Sequence, residues 1–174
     1  AAELPQVHEG RFAASRLLSA AQCGLLGELP PLPTLTSLRA MQDLSGGPTH
    51  GCFRWYWEEP RIHDTNAAFF IGMNLLVLER AYGSALEPDA RQLLRSTFTD
   101  LQRWFDHAVH ERSFRYLNKY LGDLVCAWLL SEITEDAAFA ARVASAMHEA
   151  ADYWRTQHWG WGEHLSDIYA GVAL

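Results

Sequence analysis

The densest run of reactive side chains in this chain is His158-Trp159-Gly160-Trp161-Gly162-Glu163-His164-Leu165-Ser166-Asp167-Ile168-Tyr169. Glu163, His164, Asp167 and Tyr169 are general acid or base candidates within one loop and the turn that follows it. Trp159 and Trp161, spaced by a glycine, offer flat apolar faces suited to stacking on sugar rings. The same run also reads as a Trp-rich plug at one end of a helical array, with Glu163 as a first-turn acid favoured by the helix dipole.

Two further groups carry chemistry. In Asp64-Thr65-Asn66, Asp64 or Thr65 suits a helix N-cap, and Asn66 in the first helical turn is placed to bind substrate, as is Asn74 two turns on. Asn118-Lys119 pairs an amide donor with a cation and can neutralise a carboxylate, although a lysine alone is more often a solvated side chain. Phe53-Arg54-Trp55-Tyr56-Trp57 sets four aromatics around one cation in an irregular stretch, which makes Trp55 and Trp57 ligand-binding candidates.

Metal and cofactor chemistry finds no foothold. His107 and His110 sit at the end of an outer helix, where solvent-exposed histidines suit the dipole, and no HExxH occurs. Cys23, Cys52 and Cys126 form no CxxC pair; Cys23 and Cys126 read as buried thiols, and Cys52 beside Gly51 has nothing near it to make it reactive. GxSxG, Walker and GxGxxG signatures are missing, as is an acidic DDxxD run. The expectation is therefore no metal and no cofactor.

These residues need elements to hold them. The spacing predicts a helix over 11–28, with Leu17, Leu18, Ala21 and Leu25 on one face, stopped by Pro30, Pro31 and Pro33. Residues 30–63 read as irregular around one short helix near 35–43. A nearly all-apolar helix follows from 64 to about 81, stopped by Gly83. Pro88 opens the next, whose Leu94, Phe98, Leu101, Phe105 and Ala108 recur at spacings of three and four. A third covers about 115–132. Thr134 caps a fourth, with Phe139, Val143, Ala146 and Ala150 on one stripe, and Ser166 can cap a last one. Trp104, Trp128 and Trp154 fall on helices as packing residues. No convincing alternating strand occurs, so the chain reads as all-α.

Buried helices begin near 64, 115 and 165, a repeat of roughly 50 residues, with amphipathic helices between them. That is the pattern of helical hairpins in two layers, within a single domain over 1–174 made of an N-terminal part, 1–63, and hairpin repeats over 64–174. Short connections would put the starts of the inner helices at one end, where Asp64, Asn66, Asn118, Lys119 and the Trp-rich turn could converge.

Composition narrows the partners. Asp and Glu number 21 against 14 Lys and Arg, a formal charge of −7, which argues against nucleic acid and anionic membranes. With 49% hydrophobic and 20% charged residues the chain is not disordered. The longest apolar run, 67–78, is too short to span a bilayer. A start at Ala1 fits either a processed exported protein, extracellular or periplasmic, or a cytoplasmic one.

The segments GCFRWYWEEPRIHDTNAAFF, RYLNKYLGDLVCAWLL and YWRTQHWGWGEHLSDIYAGVAL resemble the α/α-toroid polysaccharide lyases of the heparinase II/III-like and alginate-lyase-like group, over about residues 52–174. The resemblance implies abstraction of the proton α to a uronic-acid carboxylate and elimination of the 4-linked sugar. It makes Asn66 or Asn118 the carboxylate neutraliser and His164 or Tyr169 the proton-transfer groups. A complete toroid has about twice the helices this chain can hold, so the hairpins read as part of a ring completed by a C-terminal half or another subunit, or as a smaller bundle. The expected partner is thus a small-molecule or glycan substrate. A cyclase or isomerase of small-molecule biosynthesis, with an aromatic cavity around a cation and Glu163, Asp64 or His164 as proton donor, is a second expectation. A non-catalytic helical binding scaffold is the third.

Overall fold

A computed structural model of the protein describes residues 9–111 and 117–156. The described residues form six α-helices and one 3-10 turn, with no strand among them beyond two isolated backbone bridges, Glu9 to Tyr56 and Gln42 to Phe53. The all-helical expectation holds. The chain divides into two compact units, Ala1–Trp104 and Phe105–Leu174.

In the first unit, α1 (Gly10–Gln22) buries Ala13, Ala14, Leu17, Ala20 and Ala21 and packs on α2 (Pro31–Met41) and α3 (Ala67–Tyr82). The helix predicted over 11–28 ends early: Gly24 adopts φ +72°, and Leu25 N–H closes onto Ala20 O at 2.8 Å, leaving Leu25 exposed. The prolines expected to keep this region irregular instead start α2. Pro31 and Pro33 occupy its first turn, where a missing N–H costs no intrahelical bond.

The apolar α3 is buried through Ala67, Ala68, Ile71, Leu75, Leu76 and Leu78. Its N-cap is Asn66, which makes no side-chain cap bond; neither Asp64 nor Thr65 takes that place. Gly83 caps it in right-handed geometry and leads into a 3-10 turn, Gly83–Ala85. In α4 (Pro88–His110) the residues Leu94, Phe98 and Leu101 are buried in the first unit, as the amphipathic spacing requires.

In the second unit the tail of α4 buries Phe105 and Ala108, while His107 and His110 are exposed, as expected. Here α5 (Leu117–Thr134) and α6 (Ala137–Thr156) pack as a helical hairpin. Phe139, Val143, Ala146 and Ala150 form the buried stripe of α6. Asp136 rather than Thr134 caps α6, accepting Phe139 N–H at 2.9 Å, while the Thr134 hydroxyl donates back to Leu130 O. Glu135, at φ 54°, makes the reversal.

Two packing expectations fail. Trp128 is 40% exposed, because it lines the open groove that α5 and α6 leave between them. Cys23, just past the end of α1, is exposed, whereas Cys52 and Cys126 are buried. Trp104 is buried as predicted. Among the described residues no helix is long and apolar enough to cross a membrane.

Candidate functional site

The segment 42–66 of the first unit has almost no regular structure, so side chains must complete what its few backbone turns and bridges leave unpaired. Arg54 is one organiser. Its guanidinium donates to Ala40 O (2.8 Å), Trp57 O (3.2 Å) and Glu59 O (2.6 Å), and lies 5.7 Å from the Trp57 ring centre. Glu59 is the other. Its carboxylate accepts the N–H groups of Trp55 (2.8 Å) and Tyr56 (3.3 Å).

Trp55 is held at three further points. Its carbonyl accepts Gly10 N–H from the start of α1 (2.8 Å), and its indole Nε1 donates to Asp64 Oδ2 (3.0 Å). Its ring tilts against Phe70 with centres 5.4 Å apart. The result is a half-buried indole with a fixed plane, next in sequence to Tyr56, which is 50% exposed. An immobilised aromatic face with polar groups at its edge can bind the apolar face of a sugar with little loss of side-chain entropy.

The structure thus brings Trp55, Trp57, Asp64 and Asn66 into one connected loop. Asp64 is not a free acid there: Oδ1 accepts Asn66 N–H at 2.9 Å while Oδ2 holds the indole. The Asn66 side-chain oxygen is buried. Asn74 donates to Phe70 O of its own helix at 2.8 Å, which directs its amide along α3.

The segment is anchored to α4 from its other side. Gln42, buried, donates through Nε2 to Gly51 O (2.8 Å) and Thr97 O (3.2 Å). Asp100 pairs with Arg39 (2.6 Å) and His50 Nε2 (2.8 Å). Gly46 N–H lies 3.0 Å from His50 Nδ1, which leaves Nε2 facing Asp100. Burial pushes the Asp100 carboxyl up, but Arg39 and His50 outweigh it and hold it below the usual carboxylate range. Asp43 is likewise raised by burial and lowered further by bonds from Thr49 (2.5 Å) and Ser45 (2.9 Å). Between these anchors lies an open cleft of about 460 Å3 lined by Asp43, Thr49, Arg54, Arg61 and Ile62.

In the second unit Lys119 is mostly buried and donates to Asp123 one turn on. Asp123 is 2% exposed and its Oδ1 has no hydrogen-bond partner among the described residues. Burial pushes its carboxyl up to about 6, with the Lys119 charge opposing the rise. Asn118 is the second residue of α5. A groove of about 630 Å3 between α5 and α6 is lined by Trp128, Ala144, Met147 and His148. Trp159, Trp161, Glu163, His164 and Tyr169 lie outside the described residues.

Searches against family models, curated proteins and solved structures return no match. Function therefore rests on the chemistry of the site. Arg11, Phe70 and Asp123 are the residues that sequence reasoning missed. Asp123 had a signal, the i, i+4 spacing from Lys119. Arg11 and Phe70 meet only through the packing of α1 on α3.

Proposed function

We propose that this chain is a carbohydrate-active domain of toroid-like helical hairpins that acts on an acidic polysaccharide or oligosaccharide, with Trp55 as a resting place for a sugar ring. The observation that carries the reading is the fixed, half-buried indole, tied at Nε1 to Asp64 and braced by Phe70. Trp57, stacked under Arg54, extends the aromatic character of the same loop.

The reaction is β-elimination. A base removes the proton α to a uronate carboxylate, a neighbouring donor stabilises the charge that moves onto that carboxylate, and the C4–O bond breaks as an acid protonates the leaving sugar oxygen. On this reading Asn66 or Asn118 is the donor and His164 or Tyr169 moves the protons, with Glu163 a further acid or base candidate. Lys119 can serve a substrate carboxylate only by giving up Asp123. Ultraviolet absorbance of unsaturated uronate, followed over polyuronates and glycosaminoglycans, tests the chemistry. New absorbance that disappears in His164→Ala supports elimination; new reducing ends without absorbance point to hydrolysis.

A glycan-binding module without catalysis is the second reading, favoured by Asp64, both of whose oxygens are occupied by structural bonds. Glycan binding lost in Trp55→Ala, with no new absorbance or reducing ends from any acidic glycan, identifies that case.

A further inference from the structure

A chain of net charge −7 repels a polyanion at long range, so an acidic glycan must be read by a cation at close quarters. Phe70 supplies the link between such a cation and the platform. One neighbour of its ring is Trp55, at 5.4 Å between centres; another is the guanidinium of Arg11, with Cζ 4.6 Å from the ring centre. The guanidinium therefore lies no farther from the Trp55 ring than those two distances together.

The backbone that carries Arg11 is fixed at the start of α1. Gly10 N–H bonds Trp55 O at 2.8 Å, and a Cβ at Gly10 would meet Ile71 Cδ1 at 2.7 Å and Met41 Cε at 3.0 Å, so the first turn sits hard against the core beside Trp55. Arg11, the next residue, is exposed, and no carboxylate among the described residues pairs with it. The Phe70 contact occupies none of the guanidinium N–H groups, and an arginine fork can grip a carboxylate with two parallel hydrogen bonds.

We propose that Arg11 is the specificity-determining residue of the Trp55 platform, gripping the carboxylate of a uronic acid whose ring, or whose neighbour's ring, rests on the indole. This rests on the platform reading given above. Arg54, whose N–H groups are committed to three backbone carbonyls, is not as free to do so.

The test uses a 4-linked uronic acid tetramer and the same tetramer with its carboxyls reduced to primary alcohols, titrated into the full chain by calorimetry. Wild type is expected to prefer the acidic tetramer, with a preference that shrinks as salt rises. Arg11→Met should weaken acidic binding about tenfold and leave the reduced tetramer unchanged, while Arg11→Lys, keeping charge without the fork, recovers part of the loss. Trp55→Ala should weaken both ligands. If Arg11→Met weakens the two tetramers equally, or neither, Arg11 does not read the acid, and the platform stands without it. If wild type binds neither tetramer, the platform reading falls and this inference falls with it.

Discussion

Gly51 and Gly46 make a matched pair for testing how the irregular segment is held. Both have positive φ, +88° and +78°, so alanine at either site carries the left-handed penalty, about 1 kcal/mol. Their surroundings differ. A Cβ on Gly46 meets nothing within 4 Å, whereas one on Gly51 would stand 2.0 Å from Asp100 O and 2.8 Å from Asp100 C. Those atoms are α4 backbone and cannot rotate aside, so the loop must lift from the helix. Lifting it strains or breaks the Gln42 bonds to Gly51 O and Thr97 O and the His50–Asp100 contact. With about 1 kcal/mol for each buried hydrogen bond lost, Gly51→Ala should cost about 3–4 kcal/mol and Gly46→Ala about 1. Urea denaturation followed by tryptophan fluorescence reads the difference as a midpoint at least about 1 M lower for Gly51→Ala. Equal midpoints for the two variants would refute the close approach of loop and helix.

The buried carboxyls give the two units opposite acid responses. Asp123, at about 6 against 3.8 unfolded, is penalised when charged, so this group adds stability as pH falls from 7 to 5, about 1 kcal/mol. Denaturant titrations at the two pH values should show that gain, and Lys119→Met/Asp123→Leu should abolish it without destabilising the fold at pH 7. Asp43 and Asp100 are held below their unfolded value, so the stability they add is present at neutral pH and lost as pH falls below 4 through their folded values. An acid titration followed by fluorescence should show the first unit weakening in that range. Gln42→Leu leaves Gly51 O without its side-chain donor and removes the second bond on Thr97 O, and should cost about 2 kcal/mol in thermal unfolding, while Arg142→Leu, which removes the half-exposed fork onto Asp106, should cost no more than about 1.

Legibility in the sequence followed the range of the interactions. The faces of α4 and α6 could be read because Leu94–Phe98–Leu101 and Phe139–Val143–Ala146–Ala150 repeat with the helical period. Trp55 and Trp57 could be picked out because aromatics in an irregular segment lack a helical packing role. The start of α2 is hidden in the sequence because proline stops a helix from inside yet suits its first turn, and only the flanking structure says which applies. Asp64 looked like a cap; its indole partner is brought to it by a loop whose path depends on Arg54 and Glu59. The Arg11–Phe70–Trp55 contact joins residues far apart in the chain and leaves no periodic trace.

The segment between α2 and α3 lacks helices, yet its amides are tied down. Asp43 N–H bonds Cys52 O, Gly51 N–H bonds Asp43 O, and Arg54 N–H bonds Met41 O, all within 3.1 Å. Because Gln42 and His50 fasten this mesh to Thr97 and Asp100, fraying one end does not release it. Its amide protons should exchange with solvent only when the whole first unit opens, at the slow rate of helix interiors. The stretch that looks most like a connector is then part of the cooperative core. It should also close late in folding, since its anchors lie some fifty residues farther along the chain.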